Sequence, residues 1–153
     1  MGQIRFVTMK KKTFRFYVDK DCNWFQDNNP ITHKGIYNFN YQNLDIDEDG
    51  DFYIMEDEFR IYVQFEDQPF LVKSVDIVDM RRDKIVIFLN DATKEDLNIK
   101  SLFFKGTIPY CTVKKEKFMA KFSRPALFQL SKAITTKNGD FYIGPHLIHQ
   151  SQN

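Results

Sequence analysis

The sequence contains few of the residues that mark several protein classes. Its 153 residues include two cysteines, six glycines and five prolines. Cys22 and Cys111 stand far apart, so a disulfide-rich scaffold is excluded. The low glycine and proline content excludes a collagen-like or low-complexity chain. Nowhere do 18 apolar residues run together, which excludes a transmembrane helix.

The motifs of common enzyme chemistry are also missing. The sequence has no Gly-x-Ser-x-Gly, no glycine-rich phosphate loop and no His-Glu-x-x-His. Lys10, Lys11 and Lys12 precede any apolar run long enough for a signal peptide. We therefore expect a cytoplasmic protein with no cofactor and no membrane contact, and without catalytic activity. An enzyme of unknown class, built from distant carboxylate or Cys/His groups, stays open as an alternative.

Aromatic residues and alternating apolar residues are abundant. The chain has 24 Phe, Tyr and Trp residues, and Phe59, Ile61, Val63 and Phe65 alternate as in a half-buried strand. Helical spacing after candidate caps predicts two helices. The first helix follows Thr32, and its apolar face consists of Ile36, Tyr37, either Phe39 or Asn40, and Leu44. The second helix follows Ser123, and its apolar face consists of Leu127, Phe128, Leu130, Ser131 and Ile134.

A five-residue segment occurs twice. Gly-Asp-Phe-Tyr-Ile stands at 50–54 and again at 139–143, each time after a predicted helix. Gly50 and Gly139 fit turn positions of left-handed conformation that end a helix. We interpret the pattern as two β-β-α-β-like repeats, approximately 14–79 and 102–149. The length predicts one domain over 1–153, so the expected class is α+β with a mostly antiparallel sheet and two main helices.

One acidic segment matches the EF-hand loop pattern. Residues 45–56 supply, in order, the candidate calcium ligands Asp45, Asp47, Asp49, Asp51 and Glu56, with Gly50 at the sharp turn. An exiting helix is required, yet the residues that follow alternate as a strand. Phe52-Tyr53-Ile54 is itself strongly β-forming. Calcium binding is therefore an alternative hypothesis, and a solvated turn between helix and strand is the simpler interpretation.

Charge is distributed unevenly although the net charge is only +1. Residues 45–58 hold eight acids and no base, and the rest of the chain holds 22 bases against 13 acids. Residues 114–137 carry seven bases against Glu116. Such asymmetry favours an anionic partner or head-to-tail association, or else it marks two solvated faces. A net charge near zero makes nucleic acid a poor candidate partner.

Several short segments, in order, carry a family resemblance. They are Trp24-Phe25, Asp47-Glu48-x-Gly50, the run Phe65-Glu66-Asp67-Gln68-Pro69-Phe70-Leu71-Val72, Pro109-Tyr110-x-x-Val113-Lys114 and Ala120-Lys121-Phe122-Ser123-Arg124. The chain resembles a bacterial domain-of-unknown-function family over most of residues 18–143. The resemblance implies an α+β fold with repeated structural motifs, no established activity and a role in signal transduction.

We predict a binding or regulatory module that uses its surface to contact a protein partner or a small anionic ligand. The candidate contact residues are Glu66, Asp67, Pro69, Phe70, Lys121 and Arg124. A helix N-terminus beside Lys121 and Arg124 would suit an anion. Pro69-Phe70 has an alternative interpretation as a strand kink with a buried ring. The sequence does not determine the oligomeric state.

Overall fold

The computed structural model describes residues 12–151, apart from the side chain of Arg82. The first eleven residues, on which the predicted absence of a signal peptide depends, lie outside this range. The chain divides into two compact units, one ending at Glu66 and one beginning at Asp67. That they form one domain stays a prediction. No helix within residues 12–151 has the length and apolar character needed to cross a membrane.

Within residues 12–66, the first unit contains a six-stranded mixed sheet and one helix. Its elements are β1 (Phe14–Val18), β2 (Trp24–Gln26), β3 (Asn29–Ile31), α1 (Lys34–Gln42), β4 (Leu44–Ile46), β5 (Phe52–Glu56) and β6 (Phe59–Phe65). The spatial order of the strands is β3-β2-β1-β6-β5-β4. β1 and β6 pair in parallel at the centre, and the other pairs are antiparallel.

Aromatic packing around Trp24 forms the core of this unit. The indole is buried, and its ring meets those of Phe16, Tyr41 and Phe65 edge-on at centroid distances of 5.8, 5.1 and 5.8 Å. Edge-to-face contacts of this kind are favourable because the positive edge of one ring meets the negative face of another. The cluster holds α1 against the sheet through Tyr41.

The second unit contains a nine-stranded mixed sheet and one helix. Its elements are β7 (Phe70–Asp79), β8 (Lys84–Leu89), β9 (Lys94–Asp96), β10 (Phe103–Lys105), β11 (Ile108–Val113), β12 (Phe118–Phe122), α2 (Arg124–Ser131), β13 (Ile134–Lys137), β14 (Asp140–Ile143) and β15 (His146–Gln150). Short 3₁₀ helices lie at Met80–Arg82 and Ile99–Ser101. The spatial order is β13-β14-β15-β10-β11-β12-β7-β8-β9, with β10–β15 and β7–β12 parallel.

The predicted fold class is wrong. Of the residues that the structure describes, 52% are in strands and 16% in helices, so the protein is mostly β, and it has two mixed sheets rather than an α+β fold made of two β-β-α-β repeats. Within residues 12–66, three strands precede α1 and three follow it. The first unit ends at Glu66, whereas the predicted repeat, approximately 14–79, extends beyond it. Alternation reveals a strand but not the direction of its partner. The three-residue strands are also too short to show alternation.

The two recurring glycines adopt the predicted backbone conformation in a different place. Gly50 and Gly139 have φ of 84° and 83°, which confirms the left-handed geometry. Each lies in the turn of a β-hairpin, between β4 and β5 or between β13 and β14, and not at the end of a helix. The strand that intervenes after each helix was missed because it has only three or four residues.

Candidate functional site

Helix α2 begins where the sequence predicts. The Ser123 hydroxyl accepts a hydrogen bond from the Ala126 N–H at 3.2 Å, and Pro125 stands in the first turn. The predicted cap of α1 is wrong by one residue, because the N-cap is His33 rather than Thr32. The ring nitrogen Nδ1 of His33 accepts from the Gly35 N–H at 3.1 Å.

The buried face of α2 differs from the predicted one. Ala126 and Leu130 have no exposed surface, and the Gln129 side chain accepts from the Val75 N–H of β7 at 2.6 Å. That hydrogen bond fixes the rotation of the helix on the sheet. Phe128, which was predicted to be on the buried face, is 71% exposed, so this part of the prediction is wrong. The small side chain of Ala126 allows α2 to pack closely on the sheet and leaves the larger ring outside.

The outer face of α2 combines two bases with this ring. Arg124, Phe128 and Lys132 follow one another at four-residue spacing, and all three are exposed. Residues four apart lie on the same face of a helix, about 6 Å apart along its axis. The Lys132 ammonium lies 5.8 Å from the centre of the Phe128 ring. We call this surface, made of Arg124, Phe128 and Lys132, the α2 outer face.

Asp67 and Lys121, both predicted contact residues, form an ion pair at 3.2 Å. The Tyr110 hydroxyl donates to the same carboxylate at 3.2 Å. Burial, together with the Asp67 charge, raises the pKa of Tyr110 to about 12. Because the Lys121 ammonium is bound by Asp67, it is neutralised locally. Arg124 is therefore the base at the start of α2 that remains exposed and without such a carboxylate partner in residues 12–151.

The other predicted contact residues lie in different environments. Pro69 and Phe70 are fully buried, and the Phe70 ring packs against that of Phe118 at 5.4 Å, as in the alternative interpretation of a buried ring. Glu66 is exposed, and its carboxylate accepts from the Tyr17 hydroxyl at 2.8 Å. Of the six predicted residues, the structure brings Asp67 and Lys121 into direct contact as an ion pair.

The acidic segment 45–56 forms the β4–β5 hairpin. At its turn the Lys12 ammonium lies 2.9 Å from Asp47, 3.0 Å from Asp49 and 2.6 Å from Asp51. An ammonium group has three N–H donors, and here each meets one carboxylate. The turn of the β4–β5 hairpin therefore binds a cation that the chain itself supplies, the Lys12 ammonium.

Asp47 is the buried centre of this turn. Its carboxylate accepts the Asp49 and Asp51 N–H groups, both at 2.9 Å, and the Tyr62 hydroxyl at 2.8 Å. Burial alone would raise the pKa of Asp47. The hydrogen bonds from Lys12, the backbone and Tyr62 outweigh that effect and hold the pKa well below its usual range. The three carboxylates likewise raise the pKa of Lys12, with Asp51 contributing most.

This arrangement differs from an EF-hand. Carboxylate oxygens of Asp47, Glu48 and Asp49 lie within 4.8 Å of one another, which is close enough to share an ion. Glu56, however, is four residues beyond Phe52 along β5, about 13 Å at the rise of a strand. A strand follows the loop where an exiting helix would be needed. The residues therefore do not fit an EF-hand site, and a calcium ion at the three carboxylates would compete with Lys12.

Sequence reasoning missed a second internal ion pair. Asp91 is buried and meets the Lys114 ammonium at 2.8 Å, while the same ammonium donates to the Thr93 hydroxyl at 2.8 Å. The spacing Asp-x-Thr, typical of a side chain that caps its own turn, was the available signal.

The thiol of Cys111 is buried on β11. Burial raises its pKa to about 12, so the thiol is a poor nucleophile at neutral pH.

These features define a mostly-β protein of two compact units, each with a mixed sheet and, among the described residues, one α-helix. Two solved structures share this fold, and both are DUF1285 family proteins. One, from Silicibacter pomeroyi DSS-3, has a TM-score of 0.72 and 16% identity, with 86% of this chain and 75% of that chain covered. The other, from Shewanella baltica OS155, has a TM-score of 0.67 and 13% identity, with coverages of 80% and 94%.

The likeness supports the resemblance to a bacterial domain-of-unknown-function family at the level of fold. At such low identity it carries no residue roles and says nothing of signal transduction. No family model matches the sequence. No curated protein matches it either.

Proposed function

We propose that this chain is a non-catalytic, cytoplasmic binding module that takes an acidic protein segment on the α2 outer face, in a regulatory role suited to signal transduction. The observation that supports it is the 71% exposed ring of Phe128 between two exposed bases. Aromatic and arginine side chains dominate the energetics of protein interfaces. A large ring on the solvent side of a short helix has no role in the core.

The charges around the ring select the chemistry of the partner. Arg124 and Lys132 lie about 6 Å on either side of Phe128 along the helix axis, so an apolar side chain flanked by carboxylates fits the face. Of the described residues, none places a carboxylate within ion-pair distance of either base. Rim charges of this kind mainly raise association rates and specificity, so binding would weaken with salt.

A protein segment suits this face better than a small anion. The predicted anion site needed Lys121, whose ammonium is bound by Asp67. It also needed free N–H groups at the start of α2, and the Ser123 hydroxyl already accepts the Ala126 N–H. A small anion would therefore contact one base, Arg124, and a helix end that is already partly capped. An apolar side chain would pack against the exposed ring of Phe128.

The test is a titration of the ¹⁵N-labelled protein with short peptides that carry one Phe between Glu residues. We expect shifts of backbone signals confined to α2 and its flanks, and at least a tenfold loss of affinity in Phe128→Ala. Phe39→Ala is the matched control, because Phe39 is 58% exposed on α1 and no base lies four residues from it. Peptides with Lys in place of Glu should bind at least tenfold more weakly. Equal binding of both peptide sets would refute the proposal.

A calcium site at the β4–β5 turn is the second candidate, with Asp47, Glu48 and Asp49 as ligands in place of the predicted EF-hand set, and the convergence of these three carboxylates is the observation in its favour. Thermal unfolding in EDTA and in about 1 mM calcium, with magnesium as control, decides it. A ligand at 100 times its Kd stabilises the folded state by about 2.7 kcal/mol, so a calcium-selective rise in Tm would be plain. An unchanged Tm would leave Lys12 as the cation of this turn.

A further inference from the structure

A second exposed surface of this chain combines an aromatic ring with acidic residues, whereas the α2 outer face combines an aromatic ring with basic residues. At the β5–β6 hairpin, Glu56, Asp57, Glu58 and Phe59 are consecutive and all exposed. Phe59 is 70% exposed, which is close to the value for Phe128. We call these four residues the hairpin tip. An exposed ring beside three carboxylates is the kind of segment that the α2 outer face is proposed to bind.

The backbone of the hairpin fixes how this tip is presented. Glu56 and Phe59 are directly opposed across the two strands, so their side chains project from the same side of the hairpin. Asp57 and Glu58 form the two-residue connection between the strands, and Asp57 has a φ of 55°. A two-residue turn is rigid, so little conformational entropy is lost when the tip binds.

The carboxylates of the hairpin tip differ in their ion pairing from the other acidic residues of segment 45–58. Asp47, Asp49 and Asp51 are bound by Lys12, and Glu48 meets Arg60 at 3.5 Å. Within residues 12–151, no base lies within ion-pair distance of the three carboxylates of the tip. The tip and the α2 outer face are therefore both left with charge for an external partner, and the two charges are of opposite sign.

We propose that the hairpin tip of one copy of this chain docks on the α2 outer face of a second copy. The inference rests on the proposed function and names its partner. Phe59 of one copy would lie against Phe128 of the next, with Glu56 and Glu58 beside Arg124 and Lys132. Such a contact joins different surfaces of the two copies. It can be made reciprocally within a two-fold dimer or repeated head-to-tail in rings and open chains.

The area of the contact makes the association weak. A single hairpin turn against one face of an eight-residue helix buries far less than the ~1,600 Å² of a stable interface. Self-association should therefore appear only at high concentration, and it should decrease as salt screens the charges. Sedimentation velocity from about 5 to 500 μM covers the range of a weak, transient interaction.

Two charge-reversal variants test the contact. The helix variant carries Arg124→Glu and Lys132→Glu, and the tip variant carries Glu56→Lys and Glu58→Lys. We expect concentration-dependent association of the wild-type chain, and at least a tenfold loss in each variant alone. An equimolar mixture of the two variants should associate again, because each reversed surface then meets a surface of opposite charge. Recovery in the mixture also shows that both variants are folded.

The control variant carries Lys105→Glu and Lys137→Glu, which change the net charge as the helix variant does but lie at other exposed positions. It should associate as the wild type does. Association that survives in both surface variants, or a mixture that stays monomeric, overturns the inference. A wild-type chain that is monomeric at every concentration also overturns it, yet the proposed function stands if acidic peptides still bind the α2 outer face. Loss of peptide binding as well would refute both.

Discussion

The orientation of α2 on its sheet can be tested by two substitutions only two residues apart. Leu130 has no exposed surface, whereas Phe128 is 71% exposed. Replacing a fully buried leucine by alanine removes its burial and leaves a cavity, at a cost of about 2–5 kcal/mol. We expect Leu130→Ala to lower the free energy of unfolding by about 3 kcal/mol, or the Tm by roughly 6–12 °C for a chain of this size.

Phe128→Ala should behave in the opposite way although it removes the larger side chain. An exposed ring contributes little to stability, and alanine has the higher helix propensity, by about 0.5 kcal/mol. The free energy of unfolding should therefore change by less than ~0.5 kcal/mol, with an increase expected. Urea unfolding followed by circular dichroism measures both variants. A loss at Phe128 as large as that at Leu130 would mean that α2 is rotated about its axis, and both proposed contacts would be wrong with it.

Two further predictions concern titratable side chains. Because the pKa of Asp47 is held below its unfolded value, the folded state binds fewer protons in acid. Its contribution to stability is complete above about pH 5 and is lost as the pH falls towards the folded pKa. Urea unfolding between pH 7 and 3 should therefore show a shallower loss for Asp47→Asn than for the wild type, and parallel curves would contradict the cluster with Lys12. Because burial raises the pKa of Cys111 to about 12, a disulfide reagent at pH 8 should modify Cys22 first and Cys111 only on unfolding; two equally fast thiols would contradict the burial of β11.

The longer strands could be predicted from the sequence because alternation needs length to be visible. In Phe59–Phe65 apolar residues recur at every second position, and in Lys84–Leu89 five consecutive apolar residues follow the lysine. β3, β4 and β9 have three residues each, and a pattern of period two is not recognisable in so few. The parallel pairs were also beyond local reasoning, because β1 and β6 are separated by more than forty residues of chain.

The helices show a different limit of sequence reasoning. Both were found from caps and spacing, but Ile36 on α1 and Phe128 on α2 were placed inside because they are apolar, and both are exposed. Of the two alternatives Phe39 and Asn40 on α1, the apolar Phe39 is exposed and the polar Asn40 is buried. Hydrophobicity alone does not select the buried face when small residues can pack there. The spacing of Ala126, Leu130 and Ala133, all buried, was the better guide to the face that contacts the sheet.

Ion pairing within the fold decides which charges can serve a partner, and sequence position alone does not reveal it. Lys114 and Lys121 belong to the most basic stretch of the chain, yet Asp91 and Asp67 neutralise them at 2.8 and 3.2 Å. A buried or half-buried ion pair contributes to the packing of its own turn. Because its two charges cancel, it does not attract another molecule electrostatically. The charge asymmetry in the sequence therefore overstates the binding surface.

Two exposed surfaces combine a large ring with charges that are not paired in this way. Arg124 and Lys132 flank Phe128 on α2, and acidic residues precede Phe59 at a rigid turn of the first unit, where the next residue, Arg60, is paired with Glu48. Exposed rings of this size carry a cost in solubility that a monomer with no partner would avoid. Since the unpaired charges beside each ring are of a single sign, and the two signs are opposite, attraction between copies is favoured over like pairing of either surface.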